Sequence, residues 1–470
     1  METRCQVFTP MSIASQMLDL IDYRGNMYGK TIIENSCGEG GILCAVVARY
    51  IEGLQGEPLE YIRHGLEQDI VGYDIDKSCC QKTIVKLDSI AKQYGIDSVK
   101  WNISCQNTLK TESVNKFDFV VGNPPYISYR HMDIDDRNYL REHYDSCKIG
   151  AFDYCYAFIE HGLKSLKSGG KLVYLIPSSI FKNVHAINLR ELMKTHINRI
   201  FDYTTIKLFD KVLTSSAIIV CQRDCNCPTI TYLDVASDKE CTVSKENLGD
   251  KWIFKKGNDR MPQTRIVRFG DLFSASIVVA TLLNEAFVLS DFEVNGNTIL
   301  CNDHLIESAV TRETASPRNL RNHKQERIIF PYYYIDTTLH RYSIDEFSER
   351  FPLAVDYLKR YKEKLDNRDA DKNAAWFEYG RSQALRRINQ PKLLVSTIVT
   401  EKVEVYSLNA ECIPYAGIYI TSKGDTPLEV AKSILTSDDF KQYVLNIGIF
   451  ANGHSVRITP KDIENYRFTL

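Results

Sequence analysis

The sequence predicts an α/β protein, a largely parallel sheet covered by helices on both faces, followed by a second domain of mixed α+β character. Strand-like and helix-like segments alternate from residue 31 to residue 221, the rhythm of a doubly covered sheet. A glycine cluster follows the first strand, and an acidic residue ends the second. After residue 222 the alternation fades, and 470 residues exceed what one hydrophobic core organises, so a second domain is expected.

Each element has a local reason. Thr31–Glu34 is a short β-rich run that enters the glycines, and Gly41 to Tyr50 has helical composition. Ile70–Asp74 is a second strand. Lys77 to Lys92 then carries apolar Ile84, Val85, Leu87 and Ile90 at helical spacing. Phe117–Val121 is a third clear strand, closed by Gly122-Asn123-Pro124-Pro125-Tyr126. From Phe152 to Leu166 the spacing of Phe158, Ile159, Leu163 and Leu166 predicts an amphipathic helix, stopped by Ser168-Gly169-Gly170. Lys171–Ile176 is a strand halted by Pro177, and Ile200–Tyr203 and Ala217–Cys221 supply the last strands of the sheet. A boundary is expected between 225 and 245, with the first domain taken as 1–235 and the second as 236–470.

Composition narrows the class. Apolar residues make up 44% and charged residues 25%, which excludes wholesale disorder. Lys+Arg 58 against Asp+Glu 60 leaves a net charge of −2, so polyanion contact must come from local patches. No apolar run reaches the roughly 18 residues of a membrane span. The opening METRCQVFTP lacks a basic segment followed by an apolar one. The 14 cysteines are scattered, and Cys221, Cys225, Cys227 and Cys241 do not have zinc spacing, so no metal is expected. The expectation is a soluble, cytoplasmic, thiol-reduced protein with no membrane role.

Two segments carry chemistry. Asn123-Pro124-Pro125-Tyr126 directly follows an apolar strand. Asn and Pro are turn residues in any case, but here two prolines remove backbone donors and present carbonyl oxygens at the carboxyl end of a strand. That is where open α/β sheets place ligands. An amine lying there gives its two N–H bonds to the Asn123 side-chain oxygen and the Pro124 carbonyl, which draws its lone pair out of ring conjugation. Tyr126 offers a flat face for a planar substrate. The second segment, Thr31 to Gly41, is strand, glycine turn and helix, and it is joined by Asp74, which can accept from both hydroxyls of a ribose. The glycine pattern and the spacing to Asp74 do not match the dinucleotide fingerprint. NAD is therefore disfavoured, and a nucleoside without a pyrophosphate fits better.

From Thr9 to about Gln222 the chain resembles the γ-class DNA adenine-N6 methyltransferases, and the family's motif order is kept. The resemblance implies a Rossmann-like S-adenosylmethionine-dependent methyltransferase domain and a C-terminal mixed α+β DNA-recognition domain. It implies a site-specific enzyme, the modification half of a restriction–modification system in a bacterial or archaeal cell. By the same resemblance Phe8-Thr9-Pro10 closes over the methionine end of S-adenosylmethionine. Glu34, Cys37, Gly38 and Gly40 form the methionine-side loop, Asp74 holds the ribose, and Ile75 packs on the adenine ring. Phe152 lies near that ring too. Asn123, Pro124, Pro125 and Tyr126 match the catalytic turn, and Phe209 matches an aromatic that sandwiches an extruded target adenine. Where the family has an Asp for the cofactor's adenine amine, this chain has Asn107, whose amide oxygen can accept the same bond. Extruding the base costs a few kcal/mol of stacking and pairing; Tyr126 and Phe209 return part of it at ~1–3 kcal/mol per stacked base. Cytosine-C5 methylation needs a Pro-Cys dipeptide, which does not occur.

Between Arg312 and Arg327 five basic residues stand against two acidic, and between Lys359 and Lys392 ten against five. Tyr332, Tyr333, Tyr334, Tyr357, Tyr361, Trp376, Phe377 and Tyr379 lie beside or within these stretches. Behind such a catalytic domain, phosphate contacts are the better reading of these charges. Arg318, Arg321, Arg381, Arg386 and Arg387 are the candidate contacts to double-stranded DNA, with a cognate restriction endonuclease as a further partner. Two alternatives stay open: a protein-glutamine N5 methyltransferase, which shares the Asn-Pro-Pro-Tyr turn, and a non-catalytic DNA-binding specificity subunit.

Overall fold

Successive residues of the central strands bury on opposite sides of one sheet, the signature of a sheet covered on both faces. Ile33, Val71, Val120 and Leu172 join one core, while Ile32, Ile70, Val121 and Val173 join another. The computed structural model describes residues 9–206, 208, 215–254, 266–336, 338–452 and 455–469. It divides into two units, Met1–Lys256 and Gly257–Leu470.

The strands of the first unit are β1 (Ile32–Glu34), β2 (Ile70–Asp74), β3 (Asn102–Cys105), β4 (Phe117–Gly122), β5 (Leu166–Pro177), β6 (Ile197–Asp202), β7 (Ser216–Gln222), β8 (Thr229–Asp234) and β9 (Lys239–Ser244). They form one nine-stranded sheet in the order β3-β2-β1-β4-β5-β7-β6-β8-β9. β3, β2, β1, β4 and β5 run parallel, and β7 is inserted antiparallel between β5 and β6. Helices α1 (Met11–Leu20), α2 (Gly41–Glu52), α3 (Leu59–Asp69) and α4 (Lys77–Gln93) cover one face through Met17, Val46, Leu66 and Leu87. Helices α5 (Ile134–His143), α6 (Tyr154–Ser165) and α7 (Ile187–Lys194) cover the other through Leu140, Phe158, Leu163 and Leu189.

Helix starts follow their caps. Asp76 accepts the Ser78 and Cys79 N–H groups at the head of α4, and Asp153 accepts that of Cys155 at the head of α6. Three expectations shift. The amphipathic segment expected from Phe152 to Leu166 is helical only over Tyr154–Ser165, because Leu166 already pairs with Phe117. The Ser168-Gly169-Gly170 segment is a register irregularity inside β5, with Gly169 at φ 73°, rather than a break before a new strand. The boundary expected at 235 falls between β8 and β9, which pair from Thr229↔Ser244 to Asp234↔Lys239, so the first unit continues to Lys256.

The second unit is a set of small, mostly antiparallel sheets with short helices. One four-stranded sheet orders Phe273–Ile277, Ile418–Ser422, Lys392–Val395 and Val405–Leu408. Another orders Val288–Leu289, Glu326–Ile329, Thr311–Ala315 and Ile413–Pro414. Near its end, Thr459 and Asp462 form a capping box at the helix Pro460–Glu464. No helix among the described residues is long and apolar enough to cross a membrane.

Candidate active site

The carboxyl ends of β3, β2, β1 and β4 are neighbours in the sheet, so the turns leaving these strands gather along one edge. Register fixes the alignment: Glu34 lies opposite Gly72 and Val121, Asp74 opposite Cys105, and Gly122 opposite Tyr174. This brings the glycine turn, Asp74-Ile75, Cys105 to Asn107 and the Asn123–Tyr126 turn onto adjacent strand exits.

The glycine turn is folded around Asp74. Gly38 and Gly40 both have positive φ (50° and 80°), and a Cβ on Gly40 would stand 2.9 Å from the Thr83 methyl carbon of α4. The Gly38 N–H donates to Asp74 Oδ2 at 2.8 Å, and the Asp76 N–H donates to Asp74 Oδ1 at 2.9 Å. The acid expected to hold the ribose therefore also pins the loop, and a carboxylate retains further acceptor positions beyond these two. From α4, the Thr83 hydroxyl donates to the Gly38 carbonyl at 2.9 Å, and Lys82 and Lys86 pair with Glu39. Cys37 is buried.

Glu34 is buried at 3% exposure, with Oε2 accepting the Leu43 N–H at the start of α2. Burial pushes its carboxyl well above the usual range, the Leu43 bond opposes that shift, and the Asp74 charge adds to it. Ile75, one residue past Asp74, is 72% exposed, an apolar side chain held open beside an acid. Asn107 caps a short 3₁₀ turn, its Oδ1 accepting the Leu109 N–H at 3.0 Å. One lone pair of that oxygen is thus already engaged.

At the end of β4, Asn123 Nδ2 donates to Thr9 Oγ1 at 3.3 Å, which fixes which way the amide faces. Pro10, next to Thr9, caps α1. The Ser36 hydroxyl approaches the Asn123 carbonyl at 3.5 Å. Pro124 is buried, and Pro125 and Tyr126 are half-buried. The Tyr126 hydroxyl donates to the Leu175 carbonyl of β5 at 3.0 Å, so the ring is tied down by its polar end. Burial pushes that hydroxyl well above the ordinary tyrosine range.

Phe152 is placed differently from an open ring: it is fully buried and meets Tyr129 edge-on at 5.3 Å. Phe8 and Phe209 lie outside the described residues. Among the described residues no group of three or more His, Cys, Asp or Glu is placed to hold a metal ion.

In the second unit, Arg318, Arg321, Arg381, Arg386 and Arg387 are the candidate cations, and all five are exposed. Arg321 pairs with Glu404 at 2.7 Å and Arg381 with Asp369 at 3.3 Å. Several of the aromatics beside the basic stretches are core instead: Tyr332, Tyr357, Phe377 and Tyr379 are buried.

Sequence reasoning missed Asp153 and the layer around Tyr129. Asp153 bridges to Ser128 just past the Asn123–Tyr126 turn, and burial pushes its carboxyl up to about 6. Over the Tyr129 ring sit Arg137 at 4.5 Å and Arg141 at 5.1 Å, one turn apart on α5. Their i, i+4 spacing was the signal available in the sequence.

The chain is similar to known proteins in sequence and fold. Residues 54–209 match the Eco57I restriction-modification methylase family, a span that contains Asp74, Asn107, the Asn123–Tyr126 turn and Phe152. The type II methyltransferase M.AccI of Acinetobacter calcoaceticus is 26% identical over 230 residues, covering 47% of this chain and 37% of that protein. The type II methyltransferase M.BstVI of Geobacillus stearothermophilus is 24% identical, covering 98% and 89%. The type II restriction enzyme and methyltransferase RM.Eco57I of Escherichia coli is 21% identical, covering 61% and 33%. The chain thus spans well under two thirds of M.AccI and RM.Eco57I, and most of M.BstVI. In fold, it is similar to the type IIL restriction-modification enzyme MmeI, solved in complex with DNA, at a TM-score of 0.64 and 14% identity over 97% of this chain and 64% of that one. It is also similar to DrdV, likewise solved with DNA, at 0.55 and 11% over 93% and 53%. The match to the Eco57I restriction-modification methylase family thus covers residues 54–209, about a third of the chain.

Proposed function

We propose that the protein methylates the N6 amine of adenine at a defined site in double-stranded DNA, using S-adenosylmethionine, with the target base swung out of the helix. The observation that carries this reading is the Asn123–Tyr126 turn at the β4 exit, its amide oriented by Thr9 and its tyrosine tethered to Leu175.

The residues present fit the cofactor. Exposed Ile75 offers an apolar face for an adenine, and Asp74 keeps acceptor capacity for ribose hydroxyls. The Gly38–Gly40 turn brings bare backbone to the same edge, and a side chain at Gly40 would collide with Thr83. S-adenosylmethionine, when bound, supplies an electrophilic sulfonium methyl.

The chain supplies alignment and electrostatics. With Nδ2 engaged by Thr9, Asn123 turns Oδ1 the other way, toward an incoming amine, and the Pro124 carbonyl accepts that amine's second N–H. Both acceptors pull the lone pair out of ring conjugation. Tyr126 stacks on the base, and Phe209 is proposed as its second face. The proton of the alkylated amine leaves to solvent. Pre-positioned polar groups of this kind act mainly by orientation and preorganised charge.

The second unit is proposed to read the site, with Arg318, Arg386 and Arg387 the most available cations and Arg321 and Arg381 partly engaged by acids. A cognate restriction endonuclease blocked by the mark would be its partner in the cell. Sequencing of DNA from cells that express the protein tests the reading. N6-methyladenine at one recurring site, absent in Asn123→Ala, is expected. Unmodified DNA, or methyl transfer from the cofactor to protein instead, would overturn it.

A further inference from the structure

A base that leaves the helix stays bonded to its two flanking phosphates, so those anions come to the mouth of the pocket with it. The first unit carries a cationic feature close in the chain to the Asn123–Tyr126 turn. Tyr129 stands three residues beyond Tyr126, within about 11 Å along an extended chain. Its ring meets buried Phe152 edge-on. Stacked near it lie the guanidinium groups of Arg137 and Arg141, and Arg141 also reaches to 5.9 Å of the Phe152 ring.

Their bonding leaves both arginines with donors to spare. Arg137 Nη2 donates to the Arg130 carbonyl and Arg141 Nη2 to the Gly150 carbonyl, each at 3.2 Å. Among the described residues neither has an acidic partner, and Arg137 Nε is buried with no partner at all. A guanidinium carries five N–H donors, and stacking on an aromatic face occupies none of them. Two cations four residues apart on a helix repel one another. Asp135, Asp136 and Glu142 of the same helix lie off the 137–141 row, and Asp133, its N-cap, stands on it four residues before Arg137. The pair is held in place by Tyr129 and two carbonyls, and an anion between the two groups would relieve the repulsion.

We propose that Arg137 and Arg141 clamp a phosphodiester of the target strand next to the extruded base, with the Tyr129 ring as the platform that orients both. The proposal rests on the DNA-adenine reading above, and it assigns to the catalytic unit a phosphate contact independent of the second unit. Arginine suits this role, since its planar fork matches two phosphate oxygens at once.

The test uses the full chain and a duplex carrying the methylated site once sequencing has mapped it. Arg137→Gln with Arg141→Gln should leave S-adenosylmethionine affinity within about twofold and lower DNA affinity about 10- to 100-fold. The slope of log affinity against log salt should fall by roughly 0.9 for each phosphate no longer held. Arg137→Lys with Arg141→Lys should recover most of the salt slope. Unchanged DNA affinity and slope in the glutamine variant would overturn the clamp. So would a parallel fall in cofactor affinity, the result expected if the stack only supports Phe152. Should the glutamine variant not fold, the wild-type protein still decides. Replacing the two phosphates that flank the target adenine with neutral methylphosphonates should weaken binding at least about tenfold, and indifference to that change overturns the clamp. If the wild-type protein methylates no DNA, the broader reading fails; normal methylation with indifferent arginines overturns the clamp alone.

Discussion

Asp74 pins the glycine turn in this fold and is proposed to hold a ribose as well, and replacing it separates the two roles. Its carboxylate accepts the Gly38 N–H at 2.8 Å and the Asp76 N–H at 2.9 Å, so it shapes the glycine turn before any cofactor arrives. Hydrogen bonds to a charged group contribute ~1.5–3 kcal/mol each when dry, but Asp74 is half-exposed and water can replace it, so the net contribution is nearer ~0.5–1.5 kcal/mol per bond. Asp74→Ala should therefore lower stability by ~1–3 kcal/mol. If Asp74 also holds the ribose, cofactor affinity falls by a further ~1.5–3 kcal/mol, a roughly 10- to 150-fold rise in Kd. Asp74→Asn retains one accepting oxygen but turns an NH₂ group toward a backbone N–H, so about half the stability loss is expected. Calorimetric titration with S-adenosylmethionine, beside thermal melting of the same samples, reads both effects. A destabilised Asp74→Ala protein that binds cofactor within about twofold of wild type would refute the ribose role and leave Asp74 as a structural pin.

The other predictions concern three places. Asn123→Ala should keep cofactor affinity while single-turnover methyl transfer falls by at least ~100-fold, and near-normal turnover would sink the amine-activation role. Thr9→Val, which removes only the acceptor that orients the Asn123 amide, should slow the same step by ~3- to 10-fold. Lys245 is 7% exposed, and its Nζ has no partner among the described residues; burial holds its ammonium below the usual lysine range. The fold thus carries a penalty that is full below the folded pKa and is relieved as pH rises toward the unfolded value near ~10.4. Lys245→Met should accordingly stabilise by ~1–2 kcal/mol near neutral pH, with an advantage in melting temperature that shrinks as the pH is raised; an unchanged or lower melting temperature near neutral pH would contradict it. Replacing Arg381, Arg386 and Arg387 by glutamine should weaken DNA binding and flatten its salt dependence by ~0.9 for each phosphate released. Most of that effect should belong to Arg386 and Arg387, because Arg381 already faces Asp369.

Much of the first unit is legible in the sequence because buried parallel strands read as apolar runs with abrupt polar ends. Ile70–Asp74 is found as expected, and so is the β4 exit at Gly122. The candidate site is legible for the same reason, since residues at a strand exit are contiguous in sequence. Pairing is absent from the pattern. Nothing local says that Thr229–Asp234 lies beside β6 and extends the sheet through β9, so sequence alone puts the boundary at 235 instead of 256. Nor does a helical pattern reveal that Gly169 adopts positive φ and lets one strand run through a glycine stop. The Tyr129 layer depends on Tyr129, Arg137, Arg141 and Phe152 meeting across separate turns and helices, which only folding brings about.

In the second unit charge is visible in the sequence but its employment is not. Lys392 and Arg387 are five residues apart and equally basic on paper. Lys392 is fully buried, its ammonium donating to the carbonyls of Asn409, Ala410 and Cys412, whereas Arg387 is exposed. Arg368 is likewise taken up by the carbonyls of Thr281, Leu365, Trp376 and Glu378. A lysine or arginine buries its charge only where several carbonyls converge, and such convergence is a property of loops packed in three dimensions. Counting cations therefore overstates the surface offered to phosphate. The count of ten between Lys359 and Lys392 contains at least two that hold the unit together. The set proposed to face DNA is the remainder that reaches solvent without facing an acid, which is why Arg318, Arg386 and Arg387 outrank Arg321 and Arg381 once the fold is known.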